Sequence, residues 1–231
     1  MDFTVRNFGV VYIGGIEIWI TESLRNTWII MAILIGFAIY VNIKLKSFNE
    51  IPKGFQNVIE MIVEAFDGFV ASSAGKRLSF LGNWYFMVFI FILTSNLTGL
   101  LPRFRPPTAD WSVTFAFAMS SFVLIHAMGI KFQKGKYVKE TYFSPHFLFF
   151  PLNLLGELAR PIALSFRLFG NILSGMLLLT LFYSLAPPVL GFIVPAFLHA
   201  YFDLVAAVLQ TYIFTVLSLS FIGASAATNT E

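Results

Sequence analysis

The chain has 231 residues, of which 58% are hydrophobic and only 12% are charged, whereas soluble domains carry about 25% charged residues. This composition excludes a soluble globular fold, and the long apolar runs exclude a disordered or fibrous chain. The net charge of +3 gives no support to nucleic-acid binding, and the lack of cysteine excludes disulfides and thiolate metal sites. We therefore expect an all-α integral membrane protein.

No signal peptide is recognisable in the first residues, which read MDFTVRNFGVVYIGG. They lack the basic start, the apolar stretch and the small-residue cleavage site of such a peptide. They also do not resemble an arginine-rich organelle transit peptide. We therefore expect a chain that inserts by its own helices, which favours the plasma membrane of a bacterium.

Three apolar segments in the first part of the chain have the length of a membrane span. A bilayer core of about 30 Å requires about 20 apolar helical residues. The segments are residues 21–43, residues 84–101 and residues 113–130. They carry no charge at their centres, so we predict a transmembrane helix in each.

Residues 51–76, between the first two spans, have the spacing of an amphipathic helix. Its two faces are Ile59, Ile62, Phe66 and Phe69 on one side and Glu60, Glu64 and Asp67 on the other. We expect this helix to lie on the membrane surface. Its acidic face disfavours attraction to anionic lipid, which leaves burial against another protein and simple solvation as alternatives.

Two apolar stretches near the end of the chain, residues 147–186 and 189–222, are too long for upright spans. A continuous helix over the first would run to about 60 Å, about twice the bilayer core. We therefore expect two long, steeply tilted helices, with bends or breaks at internal prolines. Pro187 and Pro188 are expected to join them as a hairpin, which gives five spans in a single membrane domain, residues 1–231.

The basic residues predict the orientation of these spans, because lysine and arginine favour cytoplasmic loops. The loops after the first and third spans are the most basic. They contain Lys44, Lys46, Lys53, Lys76 and Arg77 in one case and Lys131, Lys134, Lys136 and Lys139 in the other. Arg103 and Arg105, after the second span, are the clear exceptions. We expect the N-terminus outside and the C-terminus in the cytoplasm.

Polar residues inside the last two spans are the most informative, because an ionisable group at the bilayer centre costs about 3 kcal/mol or more. Helical spacing stacks five of them near one face of the first helix: Glu157, Arg160, Arg167, Asn171 and Ser174. On the second helix His199, Asp203 and Gln210 share a face. Each of these two sets forms a polar stripe along its helix. We expect the two stripes to face each other or a third partner and to line water-filled paths.

Two interpretations of these charges stay open. Glu157 could pair with Arg160, and Asp203 with Arg167, as salt bridges that only hold the helices in register. Buried ion pairs rarely stabilise a protein better than apolar packing does, which favours a function in ion conduction. Arg167 cannot relay protons by titrating, because arginine stays protonated, but it can attract a carboxylate and block a cation path. No catalytic, zinc or phosphate-loop motif is present in the sequence.

Three segments of this chain resemble subunit a of the F-type ATP synthase, the membrane stator beside the rotating ring of c subunits. They read ALSFRLFGNILSG, FDLVAAVLQTYIFTVL and SNLTGLLPRFRPPTADWSVT. The resemblance implies a non-catalytic subunit without a cofactor, which couples proton or sodium flow to ring rotation and ATP synthesis. It implies as partners the c-subunit ring, peripheral stalk subunits of the b type, the rest of the complex and the lipid bilayer.

The resemblance also implies roles for individual residues. Arg167 matches the family's essential arginine, which would hold an arriving ring carboxylate ionised and keep two aqueous half-channels apart. Asn171 and Gln210 match polar positions that flank it, Asp203 matches a position of the outer half-channel, and Glu157 resembles an acid near the inner one.

The chain departs from the family pattern at two positions. Met176 stands where members often carry an acid or a histidine, and Asn153 where a carboxylate is common. The rival interpretation is a free-standing ion channel or secondary transporter, in which Arg167 and Asp203 would bind an anionic substrate or a coupling proton.

Overall fold

The computed structural model describes residues 7–13, 16–46, 48, 52–101, 104–144, 146–185 and 190–227. Within these ranges, five helical stretches are long and apolar enough to cross a membrane. They are Glu22–Leu45, Lys76–Leu100, Trp111–Gln133, Phe147–Leu185 and Phe197–Ala226. The predicted all-α membrane fold with about five transmembrane helices is therefore confirmed. The turn expected at Pro187 and Pro188 lies outside the described residues.

A β-hairpin, which the hydrophobic patterning did not indicate, precedes the first span. Strand β1, Asn7–Ile13, pairs with strand β2, Ile16–Thr21, in an antiparallel sheet. Helix α1, Glu22–Leu45, follows directly. The Thr21 hydroxyl accepts a hydrogen bond from the Leu24 amide at 3.3 Å, so Thr21 ends the hairpin and caps the first span.

Helix α2, Phe55–Ala74, lies between two glycines, Gly54 and Gly75, whose positive φ angles of 54° and 91° end the helix on both sides. A 3₁₀ segment, Lys76–Leu81, leads into helix α3, Gly82–Leu97. A second 3₁₀ turn, Thr98–Leu100, ends that span.

The remaining helices are α4, Trp111–Gln133, α5, Gly135–Phe143, α6, Phe150–Leu185, α7, Leu190–His199, and α8, Ala207–Ala226. Helix α6 continues through Pro161 for 36 residues, which is about 54 Å of helix against a bilayer core of about 30 Å. The last apolar stretch is divided instead, because a π-helical segment, Ala200–Ala206, separates α7 from α8.

Contacts within the chain divide it into two compact units. Unit 1 comprises Met1–Ser47, Ile90–Val113 and Leu168–Thr211, and unit 2 comprises Phe48–Phe89, Thr114–Arg167 and Tyr212–Glu231. Helices α3, α4, α6 and α8 contribute residues to both units. The single membrane domain expected from the sequence stays a prediction.

The core of unit 2 is an apolar cluster of residues from α2, the following 3₁₀ segment, α3, α4 and α8. Its buried members are Val70, Ala74, Leu78, Leu81, Tyr85, Ile125, Leu219 and Ile222. Gly223 lets α2 approach α8 closely, since a Cβ atom there would lie 3.1 Å from the backbone of Ala74. The C-terminal end of α2 is thus fixed in unit 2.

Helix α2 uses part of its predicted apolar face for this packing. The ring of Phe66 lies 5.2 Å from that of Phe86, and the ring of Phe69 lies 5.6 Å from that of Tyr212. The acidic side chains on the other face are exposed: Glu60, Glu64 and Asp67. The amphipathic pattern therefore corresponds to a helix with one aromatic contact face in its own unit.

Candidate functional site

The polar stripe of α6 does not have one uniform environment. Glu157 is only 6% exposed, whereas Arg167, Asn171 and Ser174 are exposed. The Ser174 hydroxyl donates a hydrogen bond to the Asn171 carbonyl at 3.1 Å on its own helix. Glu157 is therefore the buried member of the stripe, and the stripe is exposed at Arg160 as well as from Arg167 onward.

Asn171 and Gln210 meet inside unit 1. The Asn171 Nδ2 atom donates a hydrogen bond to Gln210 Oε1 at 2.7 Å, which joins α6 to α8. Gln210 is 3% exposed, and its Nε2 atom has no hydrogen-bond partner among the described residues. Two residues that the sequence placed on separate polar stripes are thus in contact, and one buried donor is left for water or another group.

Asp203 lies in the π-helical segment and pairs with His199, four residues earlier. The distance between His199 Nδ1 and Asp203 Oδ2 is 2.5 Å, and the Asp203 side chain is 14% exposed. The imidazole also lies near Tyr183 of α6, with ring centroids 6.3 Å apart. Within unit 1, the Asp203 carboxylate is therefore bonded to the imidazole of His199, a titratable group of the same span.

A buried polar network in unit 1 was missed by the sequence reasoning. Asn96 of α3, only 1% exposed, donates hydrogen bonds to Thr211 Oγ1 at 3.2 Å and to the Ala207 carbonyl at 3.4 Å, and its Oδ1 accepts one from the Thr108 hydroxyl at 2.7 Å. This network ties the loop after α3 to the start of α8. The sequence did contain a signal for this network, since Asn96 is an amide within an apolar span and a buried amide needs hydrogen-bond partners.

Unit 2 contains a cavity of about 620 Å³. Its polar lining comprises Gln133, Tyr137, Glu140, Thr141, Asn153, Glu157, Arg160 and Ser225. Arg160 Nη1 lies 2.8 Å from Glu157 Oε1 and 2.9 Å from Oε2, and the guanidinium lies 5.1 Å from the Phe221 ring centroid. Because one nitrogen contacts both oxygens, the carboxylate retains free lone pairs toward the cavity.

Asn153 has a structural contact at the edge of this cavity. Its Nδ2 atom donates hydrogen bonds to the carbonyls of Tyr142 at 3.2 Å and Ser144 at 2.9 Å. The amide therefore holds the end of α5 against α6, which a carboxylate, having no donor, could not do. Met176, the other departure, lies on α6 and accepts a hydrogen bond at its carbonyl from the Thr180 hydroxyl at 2.8 Å.

The tyrosines of α5 keep their protons beside the cavity. Burial raises the pKa of Tyr137 and of Tyr142 above the usual value, and the nearby Glu157 carboxylate raises both further. The Tyr142 hydroxyl is hydrogen-bonded to His126 Nε2 at 2.8 Å. The Tyr137 hydroxyl is buried, and its interaction with Thr141 offsets part of the rise in its pKa.

These groups are titratable and hydrogen-bonding side chains. Among the described residues, no cluster of three or more His, Cys, Asp or Glu side chains is placed to hold a metal ion. Carboxylates, amides and hydroxyls that face water can bind and exchange protons or small cations. The arrangement therefore provides a paired acid in unit 1 and a paired acid beside a cavity in unit 2.

Comparison with known proteins gives a consistent result along nearly the whole chain. A family model described as ATP synthase A chain matches residues 24–223. ATP synthase subunit a of Moorella thermoacetica is 34% identical over 223 residues, which cover 94% of this chain and 95% of that protein. ATP synthase subunit a 2 of Picosynechococcus sp. is 36% identical over 218 residues, which cover 92% and 88%.

Proposed function

The chain belongs to the ATP synthase A chain family, the membrane subunit a of the Fo sector, and on that premise we propose that it is the ion-conducting stator subunit of a rotary ATP synthase. In this role it carries no nucleotide chemistry, and it couples proton or sodium flow to the rotation of a c-subunit ring. Peripheral stalk subunits of the b type hold it against that ring.

One observation carries the proposal. Arg167 is an exposed side chain on a membrane-spanning helix, one turn before the Asn171 amide that is bonded to Gln210. A fixed positive charge on a membrane-spanning helix needs a counter-charge. An ionised ring carboxylate that passes Arg167 supplies it. The positive charge lowers the pKa of such a carboxylate and repels cations, so the arriving acid releases its ion there.

We assign one of the two paired acids to each of the two ion paths. In our proposal, Asp203 with His199 belongs to the outer half-channel, since both are partly exposed and within reach of water. Glu157 with Arg160 belongs to the inner half-channel, since the carboxylate borders a cavity of about 620 Å³. Ser174, Asn171 and Gln210 provide hydrogen-bonding groups on the path beside Arg167.

The location follows from the same proposal. A bacterial plasma membrane is consistent with the bacterial relatives and with the five apolar helices. The lysine-rich loops after the first and third spans place those loops in the cytoplasm, so the N-terminus lies outside and the C-terminus inside. Tagging each end and testing its protease sensitivity in sealed vesicles checks this orientation.

The test is ATP-driven acidification of inverted vesicles that contain the complete complex. Arg167→Ala is expected to abolish coupled pumping, and Arg167→Lys to impair it nearly as much, because lysine is a more flexible charge that deprotonates more readily. Arg77→Ala, at an exposed arginine of the 3₁₀ segment before α3, is the matched control and should pump normally. Normal pumping by Arg167→Ala at equal assembly would refute the proposal.

A free-standing channel or transporter is separated from this proposal by purification. A stator subunit should be purified together with a ring of small hairpin proteins. Without that ring, it should show no coupled ion transport. If the purified chain alone transports an ion or an anionic substrate in liposomes, the rival interpretation is correct.

A further inference from the structure

The π-helical segment Ala200–Ala206 is the irregular part of the last span. A π-helix has a wider turn than an α-helix, and its insertion into an α-helix is frequent at functional sites. The wider turn pushes side chains toward neighbouring elements, which must leave room for them. The structure shows two places in unit 1 where a glycine leaves this room.

The first glycine is Gly175 on α6. A Cβ atom at this position would lie 3.1 Å from both Cβ and Cγ of Phe202 and 3.2 Å from its Cδ1 atom. These distances are shorter than ordinary carbon–carbon contacts of about 3.5–4.0 Å. The Phe202 side chain therefore lies directly on the bare backbone of α6, and any side chain at Gly175 would push it away.

The second glycine is Gly99 in the 3₁₀ turn after α3. A Cβ atom at this position would lie 3.0 Å from Oδ1 and 3.2 Å from Cγ of Asp203. The other carboxylate oxygen, Oδ2, is bonded to His199. The Asp203 carboxylate thus lies between the imidazole of His199 and the backbone of Gly99. A methyl group at Gly99 would displace one oxygen directly and weaken the bond that the other makes.

We propose that Gly99 and Gly175 are positioning residues that hold the π-helical segment from two sides and keep the Asp203 carboxylate against His199, in the orientation in which it passes the transported ion. The inference rests on the proposed place of Asp203 in the outer ion path. It assigns to the two glycines a steric function. At Gly175 the loss on substitution cannot come from a weaker α6, since alanine forms helices better than glycine.

The experiment measures ATP synthesis by the complete complex in proteoliposomes at a fixed ion-motive force, normalised to assembled complex. Gly99→Ala is expected to lower the rate by about threefold or more and Gly175→Ala by less, because these contacts require shifts of a few tenths of an ångström, whereas a misplacement of about 1 Å in a reacting group can cost about 100-fold. Gly36→Ala is the matched control, since Gly36 lies in α1 with nothing within 4 Å of its Cβ position, and should synthesise ATP like the native complex.

A rescue variant separates the two positions. Phe202→Ala removes Cγ and Cδ1, two of the three atoms nearest the methyl group that Gly175→Ala introduces, so it should restore part of that variant's activity. It should not restore Gly99→Ala, whose methyl group meets Asp203 instead. Equal rescue of both variants, or of neither, would overturn the inference. This cycle also carries the test by itself if Gly99→Ala fails to assemble.

A spectroscopic readout separates positioning from ion conduction. The chain has 3 histidines, and the difference between the spectra of native and His199→Gln complexes labelled with ¹⁵N-histidine identifies the His199 signal. Gly99→Ala and Gly175→Ala should shift this signal and Gly36→Ala should not. An unshifted signal overturns the inference and leaves the stator function to the Arg167→Ala test. A shifted signal with native synthesis overturns it through its premise, because Asp203 would then pass no ion.

Discussion

Units 1 and 2 handle polar groups inside a membrane protein in different ways. In unit 1 several polar side chains bond directly to one another, as Asn96 does with Thr108 and Thr211, and Asn171 does with Gln210. Ser95 Oγ and Gln210 Nε2 are buried there without a partner among the described residues. In unit 2 the Glu157–Arg160 pair borders a cavity of about 620 Å³ with several further polar side chains.

The difference shows two solutions to one physical problem. A polar group within a membrane-spanning protein needs a hydrogen-bond partner, because the hydrocarbon core offers none. Direct partners give a rigid, closed arrangement in which side chains are fixed relative to one another. A water-filled cavity satisfies the same groups and leaves them able to exchange ions. On the proposed function, an ion path in unit 1 would depend on accurate placement of Asp203, whereas in unit 2 a cavity already borders Glu157.

The largest expected effect is a contrast in thiol labelling, which the cysteine-free sequence makes unambiguous. Thr141→Cys, on the wall of the cavity in unit 2, should react readily with a membrane-impermeant maleimide. Thr108→Cys, at a position with 0% exposure in unit 1, should stay unlabelled in the folded complex and react after denaturation. Equal labelling of both in the native complex would remove the distinction between an open and a closed arrangement.

The next effect sharpens the contrast at the acid of unit 1. Asp203→Asn keeps the size of the side chain but removes the exchangeable charge beside His199, so ATP synthesis should slow by about tenfold without uncoupling hydrolysis from pumping. Initial rates of synthesis at several ion-motive forces measure this. Asp110→Asn, at an acid whose carboxylate bonds to Ser112 outside this pair, is the control. If Asp203→Asn synthesises ATP at the native rate, Asp203 is not part of the ion path.

A smaller effect tests the closed network of unit 1 through stability. Asn96→Ala removes the acceptor of the buried Thr108 hydroxyl and should destabilise the subunit by about 1–3 kcal/mol. The measurement is the temperature at which the subunit dissociates from the purified complex, which should be lower than in the native complex. Asn83→Ala, at an exposed asparagine of α3, should change it by no more than about 0.5 kcal/mol. A native melting temperature for Asn96→Ala would show that the network is not closed.

The smallest effect concerns the tyrosines of unit 2 and appears only in alkali. Burial and then Glu157 raise the pKa of Tyr137 above its usual 10.0, so the folded chain keeps a proton that the unfolded chain loses. The stability from this proton is complete below pH 10.0 and is lost as the pH rises through the folded-state value. Melting temperatures between about pH 8 and 11 should therefore fall less steeply for Tyr137→Phe, and identical slopes would contradict this.

Much of the architecture could be predicted because it depends on local pattern. Apolar length gave the five transmembrane helices, and the motifs around Arg167 and Asp203 gave the family before any contact was known. Spacing placed His199 and Asp203 on one face, and the structure joins them. The roles of these residues in ion conduction stay predictions.

Other features could not be predicted, because they depend on segments distant in the sequence. The pattern indicated neither the β-hairpin before α1 nor the buried role of Asn96, since its partners belong to the loop after α3 and to α8. It also gave no reason for Asn153, whose amide bonds to carbonyls at the end of α5.

The sequence by itself determined that this chain crosses a membrane, how many helices do so and to which family it belongs, because hydrophobic length, helical period and motif are each properties of one contiguous segment. Only the tertiary structure decided which polar groups meet, where a cavity remains open and why the last span leaves the α-helical geometry near Asp203. Those outcomes depend on the space between elements, and the room that Gly99 and Gly175 leave for the π-helical segment exists only once the helices have packed.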